Sequence, residues 1–78
     1  MRKKCLCTVV TFPTTTAAMA AETFLRARQR EGRLIPVPTQ ITASCGLAWS
    51  APAGMKQQFT NDLKEQQIPF EQIVELVI

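Results

Sequence analysis

The chain has 78 residues, with 9 Lys+Arg, 6 Asp+Glu, 3 Cys, no His and a formal net charge of +3. A chain this short makes one small domain, residues 1–78, which hides roughly 60% of its unfolded surface and leaves no room for separate cofactor and substrate domains. Without histidine there is no His general base, no Ser-His-Asp or Cys-His pair and no mixed Cys/His zinc site; three thiols are also too few for a four-thiolate zinc site, so neither metal nor cofactor is expected.

The start, Met1-Arg2-Lys3-Lys4 before an apolar run, only superficially mimics a secretory leader. The run is short, β-branched, broken by threonines and stopped by Pro13. No stretch of 18 apolar residues exists, so no membrane span is expected. A C-x-C pair plus one distant thiol does not fit a secreted disulfide framework, and the expected compartment is the cytoplasm.

Cys5 to Phe12 reads as a strand rich in Val, Thr and Phe. Period 2 puts Leu6, Thr8, Val10 and Phe12 on one face, the bulkier and better core face, and Cys5, Cys7, Val9 and Thr11 on the other. Thr14 to Glu31 reads as a helix, with Thr14 or Thr15 as N-cap and Gly32 as its stop. Ala17, Ala21, Phe24 and Leu25 form its apolar stripe. Arg26, Arg28 and Arg30 either steer an acidic partner or form a solvated face. The basic residues lack interleaved aromatics, so nucleic-acid binding is not expected.

Arg33 to Val37 reads as a short edge strand, because Pro36 and Pro38 cannot donate to a ladder. Thr39 to Ser44 is a polar connection with room for one helical turn. Gly46 to Ser50 is a third strand, with Trp49 in the core or at an interface. A second helix runs from about Pro52, suited to a first helical position, to Gln67, with Met55, Phe59 and Leu63 on one stripe. Phe70 to Ile78 is the last strand, with Val74, Leu76 and Ile78 sharing a face. The order βαββαβ predicts an α+β, ferredoxin-like fold: a four-stranded antiparallel sheet with two helices on one face. The other face, carrying Cys5, Cys7, Val9, Ile73 and Val77, lacks a cover and would suit pairing with a second copy.

The least ordinary stretch runs from Gly32 through Pro36 and Pro38 to Ser44-Cys45-Gly46-Leu47-Ala48. Antiparallel strands one and three bring Cys45 to the end of strand one, near Thr14, Thr15, Thr16 and the first-turn N–H groups of helix one. A helix N-terminus favours an anion, and a thiolate is the nucleophilic form of cysteine. Threonine hydroxyls can add hydrogen bonds, and Gly46 leaves the sulfur uncrowded. Such a thiol could hold a sulfane sulfur or selenium; the alternative is a buried, inert cysteine. Cys5 and Cys7 read either as a dithiol or metal-ligand pair, or as strand filler. They lie roughly 20 Å from the far end of their strand, so neither is expected to resolve Cys45.

Thr11-Phe12, Thr14-Thr15, Ala18-Met19-Ala20-Ala21-Glu22, Arg33-Leu34-Ile35-Pro36-Val37-Pro38 and Ser44-Cys45-Gly46-Leu47-Ala48 together resemble the selenium/sulfur carrier protein-like family of small bacterial domains. The resemblance covers about Val9 to Phe70 and implies a single compact α/β domain. It further implies sulfur or selenium handling, with Cys45 as the carrying residue. Relatives often have His and Asp where this chain has Thr16 and Ala17, and basic residues where it has Thr39 and Ser50. The expected role is a carrier rather than a turnover enzyme, with Thr14, Thr15, Thr16, Pro36, Pro38, Ser44 and Gly46 supporting Cys45. Its expected partners are a cysteine desulfurase-type donor and an acceptor protein. The competing expectation is a non-catalytic interaction module that dimerises through the second sheet face.

Overall fold

In the computed structural model, which describes residues 5–41 and 44–78, the chain runs β1 (Leu6–Thr11), α1 (Thr15–Ala27), β2 (Arg33–Pro36), β3 (Leu47–Pro52), α2 (Lys56–Glu65) and β4 (Gln72–Val77). The basic start at residues 2–4 and residues 42–43 of the polar connection lie outside the described residues. The sheet is antiparallel in the order β2-β3-β1-β4. This is the α+β, ferredoxin-like arrangement that the βαββαβ order predicts.

Pairing of Val10 with both Trp49 and Ile73 defines the helix-covered face. Val10, Phe12, Trp49, Ala51 and Ile73 there meet Ala17, Ala18, Ala21 and Leu25 of α1 and Phe59 and Leu63 of α2. Small alanines bring the first turns of α1 close to the sheet, while Leu25, Phe59 and Leu63 supply the volume farther along. Leu6 shares the core-face parity yet is 49% exposed. Its register partner Val77 is 52% exposed, so this end of the face extends beyond the helical cover. The same register corrects the expectation for Ile73 and Val77: both lie on the helix side, and Val74 and Leu76 join Cys7 and Val9 on the other.

The element boundaries differ from the sequence expectation for local and for distant reasons. Helix α1 stops at Ala27, not Glu31, because Gln29 adopts φ +58° and Arg30 N–H turns back to Leu25 O. Gly32 therefore does not cap the helix; with φ +127° it passes hard against Trp49 and Ser50. Helix α2 starts at Lys56 rather than near Pro52. Gly54 N–H is taken by the Glu75 carboxylate at 2.7 Å and Met55 N–H by Thr8 Oγ1 at 3.2 Å, so two strand residues fix where that helix begins.

The prolines fit the pleat. Val37 N–H donates to Gly46 O, so the alternation of an antiparallel ladder turns the nitrogen of Pro36 away from β3. Pro36 thus ends edge strand β2 without losing a ladder bond. Pro52 closes β3 opposite Cys7, beyond the last residue of β3 that β2 reaches, Ser50.

The second face has a cover of its own. The β2–β3 connection is pinched shut at Val37–Gly46 and turns at Pro38, whose carbonyl accepts Ile41 N–H. Gln40 Nε2 reaches Val77 O, and Ser44 reaches Glu71. Both partners belong to β4 or its approach, the edge opposite β2. The described residues of the connection therefore fold across the face without helices. Val9 on that face is fully buried, as are Thr11 and Ala48.

Candidate functional site

Cys45 lies where the loop returns to the sheet, two residues before β3. The β1–β3 ladder ends at Thr11 opposite Ala48, three residues from Thr14 on one side and three from Cys45 on the other. Topology thus brings Cys45 to the sheet end where α1 starts. Its side chain is half-buried and packs against the main core cluster, on the helix side.

The thiol bonds the backbone of Leu47 in both senses. Leu47 N–H donates to Sγ at 3.4 Å, and Sγ–H donates to Leu47 O at 3.3 Å. Loss of the proton breaks the second contact and strengthens the first, because a charged acceptor makes the stronger hydrogen bond. Gly46, between them, has φ +80°, and a Cβ added there would meet nothing within 4 Å. The left-handed backbone lets residue 47 turn its N–H back on the sulfur, and the missing side chain keeps the approach open.

Thr14 is the N-cap: its Oγ1 accepts Ala17 N–H at 3.1 Å and its carbonyl accepts Ala18 N–H. Thr15 and Thr16 follow as exposed residues of the first turn. Their N–H groups have no intrahelical acceptor. Both hydrogen bonds of Cys45 Sγ go to Leu47 and neither to a threonine hydroxyl. Pro36 is exposed at the end of β2, and Pro38 is half-buried at the loop turn. They shape the loop that delivers Cys45 and do not contact its sulfur through a polar atom.

Ser44 has a partner that sequence reasoning missed. The Glu71 carboxylate accepts its N–H at 3.0 Å and its Oγ–H at 2.7 Å. Glu71 N–H in turn donates to Thr11 O at 2.7 Å. Loop, β1 and the approach to β4 are thereby joined one residue before Cys45. The two Ser44 bonds hold the Glu71 carboxyl below the ordinary carboxylate value. Glu71 follows Pro69-Phe70 with no local motif, and its partner is 27 residues away. Only the folded register connects them.

The arginine-rich run has an internal role. Arg30 forms a fork on Asp62, with Nε to Oδ2 at 3.0 Å and a second bond at 3.3 Å. Arg28 bonds Glu65 at 2.8 Å and stacks over Phe24. These pairs tie the end of α1 to α2. Among the described residues, no three His, Cys, Asp or Glu side chains converge in a way that could hold a metal ion. No helix among them is long and apolar enough to cross a membrane.

A family model described as "Putative Se/S carrier protein-like" matches residues 7–75, nearly the whole chain. The chain belongs to this family. The match includes Cys45, the Pro36–Pro38 segment and Glu71 of this Se/S carrier-like domain. No curated protein and no solved structure matches it.

Proposed function

We propose that this Se/S carrier-like domain holds a sulfane sulfur or selenium on Cys45 and passes it to another protein. The observation that carries the proposal is the Leu47 N–H aimed at Cys45 Sγ, 3.4 Å away, on a half-buried thiol within the family match. Leu47 N–H offers an anionic sulfur a backbone hydrogen-bond donor where no histidine is present. The α1 N-terminus at the same sheet end adds a favourable field for negative charge.

The transfer needs no external oxidant. Cys45 thiolate attacks the outer sulfur of a donor persulfide; a new S–S bond forms on Cys45, the donor's S–S bond breaks, and its electron pair leaves on the donor thiolate. Transfer onward is the same exchange with the acceptor thiolate as attacker. A cysteine desulfurase-type protein is the donor class and a thiol protein the acceptor class, with the cytoplasm as the setting. The domain is a carrier that returns to its starting state only by delivery, not a turnover enzyme. The competing module reading requires a broad bare face for a second copy, and the loop occupies part of it.

The test is intact mass after incubation with a cysteine desulfurase and cysteine, in a Cys5→Ser/Cys7→Ser background. One added sulfur that disappears in Cys45→Ala is the expected result. No addition, or equal addition in Cys45→Ala, overturns the proposal.

A further inference from the structure

We infer that Cys5 and Cys7 form a two-thiolate site for a soft monovalent d10 cation of the Cu(I) type, on the sheet face away from the helices. Both line a cleft of about 790 Å³ walled by Arg33, Ile35, Thr39 and Gln40. Both also line a second cleft, together with Arg33 and Ser50. The pair is open to solvent: Cys5 is exposed and Cys7 half-buried.

The spacing selects the chemistry. Residues i and i+2 of a strand share a face, with Cα atoms about 6.6 Å apart at the strand rise. That is at the far limit for a disulfide, whose Cβ atoms need to be only about 3.5–4.5 Å apart. The backbone cannot contract to help, because Cys5 and Ile78 exchange both hydrogen bonds at 3.0 Å. An ion between the sulfurs spans the excess: at a metal–thiolate length like the roughly 2.3 Å of zinc, two bonds in line separate the sulfurs by roughly 4.6 Å. Cys7 Sγ–H donates to Cys5 O at 3.5 Å, a contact that metal binding would release.

Coordination number selects the ion. No third His, Cys, Asp or Glu joins the pair among the described residues, so a tetrahedral zinc shell is not available. Thiolates are soft ligands and suit Cu(I). Binding replaces two S–H bonds by two metal–sulfur bonds and releases two protons to solvent, with no change of oxidation state. The bis-thiolate complex carries one net negative charge. Arg33 lines both clefts and can offset it, while Glu31 lines only the second.

The site is independent of Cys45, and so is its test. Cu(I) is titrated under anaerobic, reducing conditions against a coloured Cu(I) chelator, with wild type, Cys5→Ser, Cys7→Ser and Cys45→Ser, each checked for fold by far-UV circular dichroism. One Cu(I) per monomer is expected for wild type and Cys45→Ser. Each of the other two weakens binding by more than the roughly 10–100-fold that loss of an outer-shell group costs. Undiminished binding in Cys5→Ser or Cys7→Ser, loss in Cys45→Ser, or binding only as a metal-bridged dimer overturns the inference.

Discussion

The Glu71 carboxylate grips Ser44 by its N–H and its hydroxyl at once, one residue before Cys45. Both bonds favour the ionised carboxyl, which lowers its pKa in the folded chain relative to the unfolded one. Glu71 therefore contributes stability that is fully present above the unfolded-state carboxylate value. That contribution declines as pH falls through the lower folded value and is gone beneath it. Amide exchange around Ser44 and Cys45, corrected for its intrinsic pH dependence, should accelerate on acidification through that window. In Glu71→Gln the acid-induced step should vanish while exchange is already faster at neutral pH. A step of equal size in Glu71→Gln would assign it to another carboxyl.

Gly32 and Gly46 both have positive φ but differ in what surrounds them. A Cβ on Gly32 would come within 2.5 Å of Ser50 O and of Trp49 Nε1, whereas at Gly46 it meets nothing within 4 Å. Gly46→Ala carries backbone strain of about 1–3 kcal/mol. Gly32→Ala adds a steric conflict with backbone and a buried ring, and should destabilise more in urea titrations. Equal losses would mean that the Trp49 side of the contact yields freely.

Asp62 is 3% exposed and receives the fork from Arg30, which is itself only 27% exposed at its side chain. Asp62→Ala strands that guanidinium between the helices and should cost about 1–3 kcal/mol. The Glu22–Arg26 pair lies along one helix, with the Arg26 side chain 65% exposed. Its removal through Arg26→Ala should cost no more than about 0.5 kcal/mol. Comparison of the two variants by thermal unfolding checks the ranking.

Leu63 is fully buried in the α2 contribution to the core. Leu63→Ala should cost about 2–5 kcal/mol from lost transfer energy and the cavity left behind. Native domains have only about 5–15 kcal/mol in total, so this variant should show a markedly lower unfolding midpoint. Trp49, the single tryptophan and fully buried, reports the transition by its fluorescence.

The parts of the fold readable in the sequence are those set within a few residues. Thr14 as cap, the alternation around Val10, the edge position of β2 and the stripe through Phe59 and Leu63 all follow from local spacing. The start of α2 does not, because Thr8 and Glu75 define it from distant strands. The end of α1 depends on Gln29 accepting a left-handed conformation, which no pattern in the helix demands. At the candidate site, the approach of Cys45 to the α1 start follows from strand order alone. Its hydrogen bonds to Leu47 require the turn at Gly46. The Glu71–Ser44 grip and the loop across the second face require tertiary pairing that no short motif encodes.

The sheet separates two kinds of sulfur. Cys45 packs toward the helices at one end, whereas Cys5 and Cys7 open onto the opposite face near the other end, roughly 20 Å along the strand. A native chain cannot join them. Any intrachain bridge between Cys45 and either partner is therefore a chemical record that the molecule has opened, and peptide mapping of such bridges after mild oxidation would date unfolding events that leave no other trace.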